Sequence, residues 1–205
     1  MTKESLLFYS NVFIEDSQPT AEEENLILSC IPSLITNAMN DSLLRPILIS
    51  ELEEVVFGMN KGKAPGPDDF LVEFFQEFWE IINMDLLEVV KESLQNKKML
   101  CALNCTLLTL IPKKEGADNL DSFHPIALCN VVYKIITKLI ADRLKICLPV
   151  VILEEQGGFV VGKKILDGIV IASEVIHSMH TSNKRAMFIK LDMVKAYDKV
   201  KCSLL

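Results

Sequence analysis

The sequence lacks a long apolar run, because Lys, Glu or Asp interrupts each candidate before the ~18 residues that a membrane span needs. The first residues, Met1 to Leu7, contain no basic stretch followed by an apolar core, so no secretory signal is visible. Internal repeats and low-complexity tracts are also missing. We therefore expect an intracellular protein without a membrane contact, although the sequence does not distinguish nucleus from cytoplasm.

A cysteine framework is also missing. The six cysteines stand among apolar residues, which predicts reduced core thiols and no disulfide partner. Cys101 and Cys105 have the spacing of half a zinc site, but no matching Cys or His pair follows them. His177 and His180 lie three apart on a predicted helix, and we interpret them as solvated residues and not as metal ligands.

Excess positive charge is the third absence: the formal net charge is −7, from 21 basic and 28 acidic residues. Proteins that hold nucleic acid mainly by their overall charge are rich in Lys and Arg. Here the basic residues gather only locally, at 61 and 63, 97 and 98, 113 and 114, 163 and 164, and 184 and 185. Any contact with nucleic acid is therefore expected to be local and sensitive to salt.

Hydrophobic residues make up 50% of the 205, enough for a sizeable core. Residues 1–45 read as an acidic arm or linker, and residues 46–205 as the folded domain. Ser50 and Glu53 form a predicted capping box. The helix it opens places Leu52, Val55, Val56 and Met59 on one face.

The elements that follow alternate between helix and strand. A Pro/Gly loop at 61–69 precedes a helix that Asp68 or Asp69 caps, and Asn83 is predicted to cap another helix that runs to Asn96. Further predictions are a buried strand at 103–112, a helix at 132–148, a glycine loop at 157–162, a helix at 165–179 and a strand at 187–192.

The segment Phe188 to Asp198 carries the most specific chemistry. An apolar strand delivers Asp192, and Tyr197 and Asp198 follow. Two-metal nucleotidyl transfer needs carboxylates held rigidly at such a strand end, because hard Mg²⁺ ions prefer oxygen ligands. The main-chain carbonyl of Met193 adds another oxygen. The flat ring of Tyr197 would lie under the sugar, where it can exclude a 2′-hydroxyl.

A P-loop competes for the same region. Gly157 to Lys163 fits G-x-x-x-x-G-K, and a predicted helix follows. The next residue, however, is Lys164 and not Ser or Thr, so the hydroxyl that holds Mg²⁺ is missing. Glu154 and Glu155 would also repel a phosphate. We therefore disfavour a P-loop nucleotidase.

Several ordered motifs resemble the front part of the reverse transcriptase of non-LTR (LINE-type) retrotransposons, especially those of plants. The resemblance runs from about Ile31 onwards and rests on Lys63–Asp68, Leu110–Lys114, Phe123–Asn130, Ala141–Leu144, Gln156–Lys163 and Leu191–Asp198. It implies a helix-rich α+β fold, a partial right-hand polymerase with fingers and the start of the palm.

The resemblance also implies site residues and partners. Asp192 would be the first catalytic carboxylate and a Mg²⁺ ligand together with the Met193 carbonyl, and Tyr197 the sugar gate. Lys163, Arg143 and Lys114 would contact the triphosphate. The implied partners are an RNA template, a DNA primer and deoxynucleoside triphosphates.

Three departures weaken the expectation of activity. The family usually has Arg at His124, and more often Pro at Val161 and Arg at Lys163. The later Tyr-Ala-Asp-Asp-like palm motif is not found in the 205 residues. We therefore expect a truncated piece that does not polymerise alone. The alternative is a decayed or co-opted non-catalytic relic or binding module.

Overall fold

A computed structural model of the chain describes residues 3–13, 20–152, 162 and 164–182. The chain divides into two units, one of residues 35–154 and one of residues 1–34 with 155–205. The helices and strands, in chain order, are α1 (Lys3–Phe13), α2 (Ala21–Cys30), α3 (Asn37–Leu44), α4 (Ile49–Phe57), α5 (Val72–Glu77), α6 (Trp79–Gln95), β1 (Thr106–Pro112), a 3₁₀ turn (Leu120–Ser122), β2 (Phe123–Cys129), α7 (Val131–Leu144), α8 (Leu148–Val151) and α9 (Ile165–Thr181).

The hydrophobic core of the 35–154 unit lies between α4, α5, α6 and α7. On α4 it buries Leu52, Val55 and Val56, the face that the sequence predicts. Burying a large aliphatic side chain contributes about 1.5–3 kcal/mol, so this four-helix contact is the main source of stability in the unit. The other core residues are Ile47, Val72, Phe75, Trp79, Leu86, Leu87, Val90, Val131, Ile135, Ile136 and Leu139.

The ends of α4 are held differently from the prediction. The helix begins at Ile49, Leu48 is its N-cap, and no side chain caps it, so the predicted capping box at Ser50 is wrong. At the other end, the buried Gln76 side-chain amide donates to the carbonyls of Val56 and Met59, at 2.9 and 3.2 Å. These bonds add partners for carbonyls near the end of the helix, where N–H donors four residues on are missing; the Val56 carbonyl also accepts from the Met59 N–H, at 3.2 Å.

The caps predicted for the next helices are also wrong. Leu71 and Phe78 are the N-caps of α5 and α6, and neither makes a side-chain capping bond. Asp68 instead accepts a hydrogen bond from the backbone N–H of Phe70, at 3.1 Å. Asn83 lies inside α6, which is continuous from Trp79 to Gln95.

The strands β1 and β2 form an antiparallel hairpin in which Thr106 is opposite Cys129 and Pro112 is opposite Phe123. The predicted strand at 103–112 is confirmed from Thr106 onwards, but its predicted burial is wrong. Six of the seven β1 residues are exposed. The sequence did not predict β2, because Pro125 lies in the middle of it and proline is unusual inside a strand.

The periodic helix predicted at 132–148 is confirmed as α7, although it ends at Leu144 and a separate turn, α8, follows. The helix predicted at 165–179 is confirmed as α9. The glycine loop and the strand at 187–192 lie outside the described residues, apart from Gly162. The described part of the chain is thus a mixture of helices and one small antiparallel sheet, consistent with the predicted α+β class.

The prediction of core thiols is confirmed for Cys147 and wrong for the exposed cysteines, and Cys202 lies outside the described residues. Cys30, Cys101 and Cys105 are exposed, Cys129 is half-buried, and Cys147 is buried. The predicted boundary at residue 45 stays a prediction, and we note that α3 lies within the 35–154 unit. In the described ranges, no helix is long and apolar enough to cross a membrane.

Asn130, at the junction of β2 and α7, joins three segments of the unit. Its side chain is buried, with 2% of the residue exposed. The Oδ1 atom accepts from the backbone N–H of Asp68, at 3.3 Å. The Nδ2 atom donates to the carbonyls of Ala102 and Leu103, at 3.0 and 3.4 Å. The 61–70 loop and the start of the hairpin are therefore held by one amide.

Gly66 lies directly against this amide. A Cβ atom added at Gly66 would overlap Asn130 Oδ1 and N, and would lie 2.6 Å from the carbonyl carbon of Cys129. Because two of these atoms belong to the backbone, the neighbours could not move aside cheaply. The loop reaches Asn130 only because residue 66 has no side chain. We call this contact, formed by Gly66 and Asn130, the glycine–amide clamp.

We therefore expect Gly66→Ala to destabilise the 35–154 unit by at least about 2 kcal/mol, since it forces the backbones apart. Urea unfolding followed by the fluorescence of Trp79, the one tryptophan in the sequence, measures this change. The control is Gly168→Ala in α9, where a Cβ would meet no atom within 4 Å. If the urea unfolding transition followed by Trp79 fluorescence is unchanged in Gly66→Ala, the glycine–amide clamp does not contribute to the stability of the unit.

Candidate functional site

The predicted catalytic segment lies outside the described residues. This applies to Asp192, Met193, Tyr197 and Lys163, so their predicted roles stay predictions. In the ranges 3–13, 20–152 and 164–182, and at Gly162, no group of three or more His, Cys, Asp or Glu residues could hold a metal ion. Two other predicted residues, Lys114 and Arg143, lie in the described part of the chain, each in its own surroundings.

Lys114 is exposed on the connection between β1 and β2. Its neighbour Lys113 holds that connection closed: the Lys113 N–H donates to the carbonyl of Ser122 at 2.8 Å, and Nζ donates to the carbonyl of Asp121 at 2.6 Å. Lys114 is therefore a solvated cation at the tip of the hairpin. That position is compatible with the predicted contact to an anionic substrate, which stays a prediction.

Arg143, near the C-terminal end of α7, is buried, with 9% of the residue exposed. Its Nε and Nη2 atoms each lie 2.7 Å from a carboxylate oxygen of Glu51. The remaining donors reach the carbonyls of Leu43 and Arg45, at 2.9 and 2.8 Å, and of Pro46, at 3.4 Å. Such a two-pronged pair is the strongest geometry that Arg and a carboxylate adopt.

These contacts indicate that Arg143 has a structural role inside the 35–154 unit. A guanidinium has five N–H donors. Glu51 and the carbonyls of 43, 45 and 46 account for all of them. The arrangement ties α7 to α4 and to the connection between α3 and α4. It does not fit the predicted contact of Arg143 with a triphosphate, because that contact would require breaking bonds inside the unit.

Glu51 is the partner on which this arrangement depends. The hydrogen bond from Arg143 lowers the pKa of Glu51, against the opposing effect of burial, and the charges of Arg143 and Arg45 lower it further. The same bond raises the pKa of Arg143. Both groups are therefore charged in the folded protein at neutral pH. Glu51 also lies in the first turn of α4, where a negative charge is favourable.

A second carboxylate, Glu73 on α5, holds the 61–70 loop from its other side. Its Oε1 atom accepts from the backbone N–H of Gly62, at 2.6 Å. Hydrogen bonds from the backbone N–H groups of Glu73 itself and of Gly62 lower the pKa of Glu73. The loop is thus attached at Gly62 and at Gly66. The sequence motif marked the loop, but neither Glu73 nor Asn130 could be recognised as its anchor.

The remaining sequence candidates are not gathered into a site. His124 is exposed on β2, opposite Ile111. Cys101 and Cys105 are exposed beside the start of the hairpin. His177 and His180 lie on α9, and His180 is in its last turn, where a positive charge would be favourable. None of these residues belongs to a group of three or more possible metal ligands within the described ranges.

One protein family matches the C-terminal part of the chain. Residues 111–205 match the family described as reverse transcriptase (RNA-dependent DNA polymerase). This range contains β2, α7, α9 and the segment with Asp192 and Tyr197. The match agrees with the resemblance that the ordered motifs indicate.

The chain is also similar to a transposon protein. The chain is 31% identical over 194 residues to the Transposon TX1 uncharacterized 149 kDa protein of Xenopus laevis. The alignment covers 94% of this chain and 15% of that protein. The chain thus spans a small share of the length of the relative that it matches. The similarity to a transposon protein agrees with the predicted retrotransposon origin, and the plant origin stays a prediction.

The Arg143–Glu51 pair predicts a pH-dependent stability. Folding lowers the pKa of Glu51. The contribution of the pair to the free energy of unfolding is therefore present above the unfolded pKa of Glu, about 4.3, and is lost as the pH falls through the lower pKa of the folded state. We expect Glu51→Gln to cost about 2–3 kcal/mol at pH 7. The difference between wild type and variant should shrink steadily below about pH 4.

Chemical unfolding of both proteins between pH 7 and pH 3 measures this difference. Glu77→Gln is the matched control, because Glu77 makes only an exposed ion pair with Lys61, at 3.9 Å. An exposed pair of this kind is worth about 0–1 kcal/mol. An equal effect of the two substitutions at pH 7 would contradict the structural role of the buried pair.

Proposed function

We propose that the chain forms the fingers and the first palm strand of an RNA-directed DNA polymerase of a non-LTR, LINE-type retrotransposon. The observation that carries the proposal is the reverse transcriptase match at 111–205, which runs through the Leu191–Asp198 motif. The similarity to a transposon protein supports it. So does the order of the motifs upstream, which begin at Lys63 and continue through both hairpin strands.

In this proposal the 35–154 unit supplies the fingers of a right-hand polymerase. The four-helix core is the rigid base, and the β1–β2 hairpin projects from it at Asn130. Lys114 at the tip of the hairpin and Lys163 would place positive charge near the triphosphate of an incoming deoxynucleotide. Arg143 would support the fingers from inside through Glu51 and would not contact the substrate.

The chemistry itself is assigned to the palm segment. Asp192 and the carbonyl of Met193 would hold Mg²⁺, which in this class of reaction activates the primer 3′-oxygen and neutralises the triphosphate. Tyr197 would place its ring under the sugar and exclude a 2′-hydroxyl. The RNA template and the DNA primer would be the other partners. Asp198 is assigned a capping or ion-pairing role.

Primer extension on an RNA template tests the role of Asp192. The protein is expressed with whatever residues its coding sequence supplies beyond Leu205, and the assay contains deoxynucleotides and Mg²⁺. We expect Asp192→Ala to reduce extension by at least on the order of 10³-fold, because a metal ligand is lost. Asp198→Asn, in the same motif, is the control and should retain most activity.

The outcomes separate the alternatives. Extension that persists in Asp192→Ala would remove Asp192 from the metal site. The 205 residues alone are expected to give no extension. No extension by a wild-type protein whose expressed sequence includes the later Asp-Asp palm motif would contradict the polymerase and would favour the non-catalytic relic or binding module. Nucleotide hydrolysis that depends on Lys163 would instead favour the P-loop interpretation.

The sugar gate gives a separate prediction. We expect Tyr197→Ala to increase the incorporation of ribonucleotides relative to deoxynucleotides by roughly 10-fold or more, since the space for a 2′-hydroxyl opens. Tyr197→Phe keeps the ring and should leave the selectivity unchanged. Competition between the two kinds of nucleotide in primer extension measures it, and an equal effect of both substitutions would argue against a steric gate.

A further inference from the structure

A cleft of about 550 Å³ lies between the 61–70 loop and the outer face of α7. Three lysines line it: Lys63 on the loop, and Lys134 and Lys138 on the helix. Met59, Val72 and Leu128 contribute apolar surface to its walls. We call this feature the lysine cleft. The sequence marked Lys63 as part of a local basic pair and as the start of the Lys63–Asp68 motif, and it did not single out the two helix lysines.

The charged residues that line the lysine cleft are all lysines, since no Asp or Glu is among the described residues in its lining. Lys63 is exposed and makes no hydrogen bond or ion pair with a described residue. Lys134 Nζ donates to the carbonyl of Ala64, at 3.1 Å, and carries an uncompensated charge. Lys138 pairs with Asp142 at 3.0 Å, but Asp142 lies outside the cleft and is shared with Lys145.

The walls of the cleft are held at a fixed separation. The bond from Lys134 to Ala64 crosses from the helix to the loop, next to Lys63. The glycine–amide clamp fixes the same loop against the start of α7. Glu73 anchors its other end at Gly62. The loop and helix positions that carry the three lysines are therefore fixed before any ligand arrives, which reduces the entropic cost of binding.

The arrangement of the charges indicates the kind of ligand. Lys134 and Lys138 are four residues apart on one helix face, a separation of about 5–6 Å between Cβ atoms, and Lys63 faces them from the loop. A row of cations along an open cleft suits a linear polyanion better than a single compact anion. Apolar walls between the charges suit a strand with bases and sugars, as in other single-strand grooves.

We propose that the lysine cleft binds the phosphodiester backbone of a nucleic-acid strand. The inference rests on the proposed function, because it names a surface by which the fingers would hold a template or primer. It also accounts for the acidic net charge of −7: the contact is confined to one cleft and does not need an overall positive protein. RNA and DNA share this backbone, and the experiment distinguishes them.

The test is equilibrium binding of a labelled single strand, followed by fluorescence anisotropy over a series of salt concentrations without nucleotides or Mg²⁺. RNA and DNA strands of the same sequence are compared, and pyrophosphate is the competitor for a compact anion. The variants are Lys63→Gln and Lys138→Gln, each of which removes one cleft charge. Lys91→Gln is the control, since it removes one exposed charge from α6 outside the cleft.

We expect each cleft variant to weaken binding roughly 3- to 10-fold at low salt and to reduce the slope of log affinity against log salt by about 0.7. The Lys91→Gln control should bind like wild type, and all variants should keep the wild-type unfolding midpoint. Tighter binding of RNA than of DNA would assign the cleft to the template, and the reverse to the primer. Two independent variants keep the test valid if one fails to fold.

Three results would overturn the proposal. One is the absence of strand binding by the wild-type protein at low salt, and another is a loss in the cleft variants no larger than in Lys91→Gln. The third is displacement of the strand by equimolar pyrophosphate, which would indicate a compact anion site. Strand binding is measured without polymerisation, so the two proposals fail in different assays. If the wild-type protein extends a primer and the cleft variants bind the strand normally, only the proposed role of the lysine cleft is rejected.

Discussion

The buried amide of Asn130 is the constraint on which the rest of the 35–154 unit depends. It joins the 61–70 loop, the turn before β1 and the start of α7, segments that are far apart in the chain. A buried amide is costly unless its hydrogen bonds are made, and here each bond goes to a different backbone position. The same geometry that satisfies Asn130 therefore specifies where the loop and the hairpin leave the helical core.

The Arg143–Glu51 pair imposes a second constraint of the same kind on the opposite end of α7. Its bonds to the carbonyls of residues 43, 45 and 46 satisfy a connection that contains Pro46 and has little regular structure. Both ends of α7 are thus fixed by a polar side chain, and its middle by apolar packing. The helix is the common support of the loop, the hairpin and the lysine cleft.

The sequence predicted the parts of the fold that follow from apolar spacing. The faces of α4 and α7 repeat with helical periodicity, so Leu52, Val56, Ile135 and Leu139 could be assigned to the core. The caps were missed because Ser50 and Asn83 have the right chemistry, but packing sets the helix starts one or more residues away. The strand β2 was missed because Pro125 argues against a strand, and at an open hairpin it is tolerated.

The site was predicted less completely, for a physical reason. The ordered motifs indicated a resemblance to reverse transcriptases, with which the family match at 111–205 agrees, and they predicted the Asp192 segment as the catalytic one. They could not show that the guanidinium of Arg143 is fully occupied, because a buried and a substrate-binding arginine look alike in one sequence. They also could not place Lys134 and Lys138 opposite Lys63, since that depends on the contact between Gly66 and Asn130 across the fold.

The hairpin has a further consequence for motion. A two-stranded ribbon with exposed faces, including Leu107, Leu108, Ile111 and Ile126, gains little from burial and is marginal by itself in water. Among the described residues, side-chain hydrogen bonds from Asn130 hold the turn before this ribbon at its base. We therefore expect amide hydrogens near Cys129 to exchange slowly with solvent and those near Lys114 to exchange quickly. A small rotation at the base would carry the charge of Lys114 through a long arc while the helices stay still.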